Sequence, residues 1–167
     1  MTLTAEQKNA LLERVNAALA GLQSTAKYKR LLDAVPGCEA LRGKTILMVD
    51  DVQDVLESFV SPLMIATHGN ASFIRYQGQP SEELVQEILN VRPEIVLIDY
   101  HLSETMKGDA IARLLTKQQP EIACIGFSSD KDAKQAFLDA GVKGVAPKEA
   151  YDPEPSLQAI ANIIGRS

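Results

Sequence analysis

Five residues at the ends of short apolar runs carry the chemistry this sequence offers. Asp50 and Asp51 follow Ile46-Leu47-Met48-Val49, Asp99 follows Ile95-Val96-Leu97-Ile98, Ser128 follows Ile125-Gly126-Phe127, and Lys148 follows Val145-Ala146-Pro147. Three carboxylates crowded at one edge repel one another, and a divalent cation between them removes the repulsion. Hard carboxylate oxygens suit Mg²⁺, which keeps several waters and shares its coordination sphere with phosphoryl oxygens. A carboxylate beside such an ion can attack phosphorus and become an aspartyl phosphate. The group in transfer then needs positive charge and a donor, and Lys148 supplies the first and Ser128 the second. Singly, each residue has a plain structural role: Asp99 as a turn or helix cap, Ser128 as a cap for the helix beyond it, Lys148 as a surface lysine. Their shared place is what points to chemistry.

That place depends on the elements behind it. Glu94 to Asp99 is an unbroken apolar run ending on an acid, introduced by Arg92-Pro93, and it reads as a strand buried on both faces of a parallel sheet. Thr45 to Val49, Ala71 to Tyr76, Ile122 to Phe127 and Gly144 to Ala146 read as further strands. Helical periodicity fills the gaps: Val52 to Phe59, where Pro62 either kinks the helix or restarts it; Ser81 to about Val91; a stretch bearing Ile111, Leu114 and Leu115; Lys131 to Ala140; and Leu157 to Ile164. His68 reads as a helix-end residue. Parallel neighbours need crossover connections, so five strands separated by helices imply a doubly wound α/β fold covered on both faces. In such a sheet ligands collect at the carboxyl edge of the strands, where all five residues fall.

Composition narrows the function. Net charge is -5, and no cluster of Lys or Arg forms a phosphate-backbone footprint, which sets nucleic acid aside. No apolar run approaches the ~20 residues of a membrane span. The first residues are not those of a signal peptide, so a soluble, cytoplasmic protein without a membrane partner is expected. The sequence contains no glycine-rich phosphate loop, zinc-ligand spacing or nucleophile elbow. Of its two cysteines, Cys124 lies inside an apolar run and reads as a buried thiol, while Cys38 has no evident role.

In their order and spacing, Ile46-Leu47-Met48-Val49-Asp50-Asp51, Val96-Leu97-Ile98-Asp99, Gly126-Phe127-Ser128-Ser129 and Ala146-Pro147-Lys148 resemble the receiver domains of two-component response regulators, over roughly residues 44–167. The resemblance implies a flavodoxin-like sheet of order 2-1-3-4-5. It implies Asp99 as the phosphoacceptor, Asp50 and Asp51 as metal-binding acids, and the backbone carbonyl of His101 completing a Mg²⁺ site. Ser128 would be the switch hydroxyl and Lys148 the phosphoryl-binding lysine; Gly108, opening the helix after the loop, also fits. The phosphoryl group would come from a histidine kinase or phosphotransfer protein. The chain would then be a phosphoprotein switch rather than an enzyme, with self-phosphorylation and autodephosphorylation as its only chemistry.

The chain also departs from the family pattern. Glu149 follows Lys148 where the family usually has proline, Val145 stands where an aromatic commonly rotates, and residues 103–107 lack the usual proline. These departures keep a second expectation open, a receiver-like adaptor that works without phosphorylation. A third, a haloacid-dehalogenase-like phosphatase, requires another aspartate two residues after the first, and His101 stands there.

Residues 1–42 precede the region of resemblance, residues 43–167. They hold six Lys/Arg against four Asp/Glu, while the remainder holds eleven against eighteen, so the two parts carry opposite balances. Thr4-Ala5-Glu6-Gln7 has capping-box form, and Leu11, Leu12, Val15, Leu19 and Leu22 follow as an apolar stripe. Lys27 to Val35 reads as a second, shorter helix before Pro36-Gly37. The stripe must be covered, by the receiver or by the same helix of a second chain in a homodimer. Because the chain ends with the expected last helix, output is expected to pass through another protein or through these helices. Removing the segment should lower thermal stability or mass in solution, and a truncated chain unchanged in both would mark it as a passive tail.

Overall fold

Strands and helices alternate from residue 46 to residue 165 in the computed structural model, which describes Arg14, residues 38–149 and residues 152–166. In chain order they are β1 (Ile46–Asp50), α1 (Gln53–Thr67), β2 (Ala71–Arg75), α2 (Ser81–Val91), β3 (Ile95–Asp99), α3 (Gly108–Gln118), β4 (Ala123–Phe127), α4 (Ala133–Asp139), β5 (Gly144–Ala146) and α5 (Pro153–Gly165). Apart from Arg14, the helices expected within residues 1–37 lie outside the described residues.

The five strands form one parallel sheet in the order β2-β1-β3-β4-β5, the flavodoxin-like order expected. β1 and β3 are buried at every position, which is why their sequences are continuous apolar runs instead of alternating ones. On one face Leu47, Val49, Val96 and Ile98 meet Leu84 and Ile88 of α2, Ile111 and Leu115 of α3 and Phe137 of α4. On the other, Ile46, Met48, Ile95 and Leu97 meet Leu56, Phe59 and Leu63 of α1 and Leu157 and Ile160 of α5. Two cores thus clamp the central strands. Their shared carboxyl edge, where Asp50 and Asp99 end the runs, is fixed by packing on both sides.

Helix ends follow local chemistry. α1 and α2 both stop on a residue in the left-handed conformation, His68 (φ 57°) and Arg92 (φ 55°), and backbone amides there turn back to carbonyls of the last turn. Pro62 lies inside α1, which is one helix across it rather than two, and its ring is buried. α5 starts at Pro153, earlier than the Leu157 expected from periodicity, because a proline in the first turn forfeits no intrahelical hydrogen bond. α4 starts at Ala133, two residues after Lys131. Cys124 is buried as expected, and burial pushes its thiol up to about 12.

Packed structure begins before residue 43. A 3-10 turn at Cys38–Leu41 lies against α5 and α1, and Leu41 is fully buried in the same core as Met48, Leu63 and Leu157. A truncation that tests the N-terminal segment must therefore end before Cys38. Leu41→Ala should cost about 2–4 kcal/mol through lost transfer energy and an unfilled cavity, measured by denaturant unfolding of the full chain.

Candidate functional site

Register brings the five residues together. β1 and β3 pair Val49 with Ile98, so Asp50 and Asp99 come one step further along neighbouring strands. β3 and β4 pair Asp99 with Phe127, which puts Ser128 just past it, and β4 and β5 pair Phe127 with Ala146, two residues before Lys148. The ladder continues beyond β4, since the Ser128 amide donates to the Ala146 carbonyl at 3.2 Å. Ser129 Oγ donates to the Lys148 carbonyl, tying the loops after β4 and β5.

The ammonium of Lys148 joins two of the acids. Its Nζ lies 2.6 Å from Asp99 Oδ1 and 3.0 Å from Asp50 Oδ2. Asp50 is fully buried and Asp99 is 3% exposed, so charge on either has to be met from within the protein. Backbone amides meet part of it: Val52 N donates to Asp50 Oδ1 at 2.9 Å and His101 N to Asp99 Oδ2 at 3.0 Å. Burial raises the Asp50 pKa above the ordinary carboxylate value, and Lys148 and the Val52 amide pull against that without cancelling it. Burial alone would drive the proton off Lys148, but its hydrogen bond to Asp99 and the charges of Asp99 and Asp50 outweigh that and raise its pKa.

Asp51 completes the acidic group. One carboxylate oxygen from each of Asp50, Asp51 and Asp99 lies within 4.8 Å of the others. Oxygens about 2.1 Å from a Mg²⁺ ion stand roughly 3 Å apart at adjacent octahedral corners and roughly 4 Å apart at opposite ones, so the spacing and the hard oxygen donors fit that ion. Arg75 Nε donates to the Asp51 carbonyl at 3.1 Å and holds the residue at the end of β1.

The loop after β3 is pressed close to the site by Gly108. Its amide donates to the Tyr100 carbonyl at 2.8 Å, and a Cβ there would stand 2.0 Å from the Asp99 carbonyl oxygen, so no side chain is tolerated at the start of α3. Ser128 Oγ accepts from the Asp130 amide at 3.1 Å within its own loop and does not cap α4. Three further residues gather at the same edge, Tyr100, Lys107 and Asp130, with the His101 ring among them. Sequence reasoning did not single these out. The one available signal was their place in loops that leave the carboxyl ends of β3 and β4.

No protein-family model and no curated relative matches the chain. Solved structures do match its fold. The BeF3-activated DrrB receiver domain aligns with a TM-score of 0.57 at 20% identity, covering 74% of this chain and 98% of that one. The receiver domain of the histidine kinase CKI1 from Arabidopsis thaliana, in complex with Mg²⁺ and BeF3⁻, aligns at 0.57 and 18% identity, covering 79% and 95%. The receiver domain of the Francisella response regulator 1452 aligns at 0.56 and 17% identity, covering 74% and 97%. The chain has the receiver-domain fold.

Lys148 contributes stability that is present below the ordinary lysine pKa and lost as pH rises through its raised value. Lys148→Met leaves Asp50 and Asp99 facing each other without their cation, and breaking a buried pair in this way costs about 3 kcal/mol. The loss should be largest at neutral pH and shrink in acid, where Asp50, its pKa already raised by burial, takes up a proton. Melting temperatures of both proteins between about pH 4 and pH 8 check this, and a pH-independent difference would exclude the electrostatic cause.

Proposed function

We propose that this chain, built on the receiver fold, is a phosphorylation-dependent switch that accepts a phosphoryl group on Asp99 in a Mg²⁺-dependent reaction. The observation that carries the reading is Lys148 Nζ bonded at once to Asp50 and Asp99 beside the three-carboxylate cluster. The phosphodonor is a histidine kinase or phosphotransfer protein, and output passes through protein–protein contacts. The similar DrrB receiver domain is BeF3-activated and that of CKI1 is complexed with Mg²⁺ and BeF3⁻, which supports the same chemistry here.

Each side chain has a part in the transfer. Asp50, Asp51, Asp99 and the backbone carbonyl of His101 would hold the Mg²⁺, which when bound supplies positive charge to the phosphoryl oxygens. An Asp99 carboxylate oxygen bonds to phosphorus as the bond from phosphorus to the donor imidazole nitrogen breaks, giving an aspartyl phosphate and a free imidazole. The ammonium of Lys148, already on Asp99 Oδ1, is placed to follow the new charge onto a phosphoryl oxygen. Ser128 reaches the same group by turning its hydroxyl, which now accepts from the Asp130 amide, into a donor. Val145 stands where the family commonly has an aromatic, so the signal leaves through Ser128 and its loop without an aromatic rotation.

Intact mass after incubation with a small phosphodonor and Mg²⁺ should rise by one phosphoryl group, and Asp99→Asn should abolish the gain. Asp51→Ala should weaken Mg²⁺ binding by at least about tenfold, the loss that even an outer-shell partner causes. Lys148→Ala should leave Mg²⁺ affinity largely intact. A wild-type chain that stays unmodified with small donors and with kinases would transfer the assignment to an adaptor that works without phosphorylation.

A further inference from the structure

α1 is covered on more sides than the sheet accounts for. None of its residues 58–67 is exposed, whereas in α2, α3, α4 and α5 no more than three residues pass without an exposed one. Leu56, Phe59 and Leu63 face the sheet, and at 3.6 residues per turn Ser61 and Ile65 point the other way, yet both are partly buried. Val60 and Met64 sit between these faces and are 4% and 8% exposed. The apolar side chains described against them are Ala71 and Phe73 of β2, the last strand of the sheet, and Phe73 is itself only partly buried. The other described elements that pack on α1 are chiefly β1, α5 and the 3-10 turn at Cys38–Leu41, which share the core of Phe59 and Leu63. None of these covers the outward side.

A residue from the start of the chain stands at that side. Arg14 is helical, and its Nη2 lies 3.8 Å from Glu57 Oε2, while the other Glu57 oxygen accepts from Gln53 Nε2 at 3.0 Å. Glu57 shares a stripe of α1 with Val60 and Met64, three and seven residues further on. Arg14 comes three residues after Leu11 and adjoins Val15, so it borders the apolar stripe of the N-terminal segment. α1 carries Asp54 and Glu57 and no basic residue, a rim suited to a segment of positive balance.

We propose that the flank of α1 formed by Val60 and Met64, continued by Phe73 on the edge strand β2, is the docking surface for the apolar stripe of residues 4–22 of the same chain, with Arg14 on Glu57 as its polar border. The same stripe from a second copy is the competing occupant, and three observations favour the chain's own. The ion pair joins residues of one chain. Leu41 of the 3-10 turn is buried in the core shared by α1 and α5, so the segment is tethered beside the helix it covers. The linking residues 23–37 can span up to about 50 Å, several times the ~10 Å diameter of a helix. Docking there also shields the edge of β2, where the sheet leaves backbone groups without a further strand. It neither requires nor excludes phosphorylation of Asp99.

Met64 reports on this surface, because oxidation of a thioether follows its exposure, and Met48, fully buried in β1, reports on the fold itself. Limited hydrogen peroxide treatment of the full chain, read by peptide mass spectrometry, compares wild type with Leu11→Asp/Val15→Asp. Oxidation of Met64 should be about fivefold faster in that variant, the change from a covered to an open side chain, with Met48 unchanged. Arg14→Glu and Glu57→Arg should each speed it about twofold, the scale of an exposed ion pair, and the two together should return it close to the wild-type rate. Wild-type protection should hold at concentrations where sedimentation shows a monomer. Equal Met64 rates in wild type and the stripe variant would overturn the proposal, and protection lost on dilution as a dimer dissociates would assign the surface to a second copy instead. If Met48 quickens together with Met64, the stripe variant has lost the fold and the charge pair decides: single variants without effect, or a double variant without rescue, rule the docking out.

Discussion

The ammonium of Lys148 between Asp50 and Asp99 is the contact on which the rest of the carboxyl edge depends. Two carboxylates with almost no solvent access cannot both be charged side by side unless a cation meets them. Lys148 is the resident cation, and the cluster completed by Asp51 has the spacing for a second, exchangeable one. The same demand explains why the acids, the lysine and Ser128 come from four different strand ends. No single helix or loop could bring these groups together with both carboxylates buried, whereas a parallel sheet delivers one residue per strand to a common edge.

Burial on both faces makes that edge stiff. β1 and β3 are clamped between two apolar layers, so the positions of Asp50 and Asp99 follow from the packing of Leu47, Val49, Val96 and Ile98 on one side and Met48 and Leu97 on the other. Two glycines serve close approach. Gly108 lets the start of α3 lie on the Asp99 carbonyl, and Gly126 leaves room on β4 for the Phe137 ring, which a Cβ would meet at 2.4 Å. Phe137 in turn carries Tyr100, next in sequence to Asp99, so α4 is coupled to the site by ring contacts.

Much of this is legible in the sequence because the buried strands are continuous apolar runs and the candidate site residues come right after them. Asp50, Asp99, Ser128 and Lys148 are read from that position, and their order resembles one family. The residues that escape such reading are those whose role is set by contact between distant segments. Leu41 has no periodic neighbours to mark it, yet it fills the core beneath α5. Pro62 leaves a choice between a broken and a continuous helix that tertiary packing settles. Asp130 lies in a loop without repeating pattern, and only the juxtaposition of β3 and β4 makes it the partner of the His101 ring, a residue already named for its backbone carbonyl.

If Asp99 and Lys148 with a bound Mg²⁺ receive a phosphoryl group, the same residues should hold its mimics. Fluorine NMR of the full chain with beryllium fluoride, a mimic of an acyl phosphate, measures this. Bound fluorine resonances should appear only when Mg²⁺ is present, and should be missing in Asp99→Asn. A wild-type spectrum showing free fluoride species alone, at saturating Mg²⁺, would mean that this edge is no phosphoryl pocket.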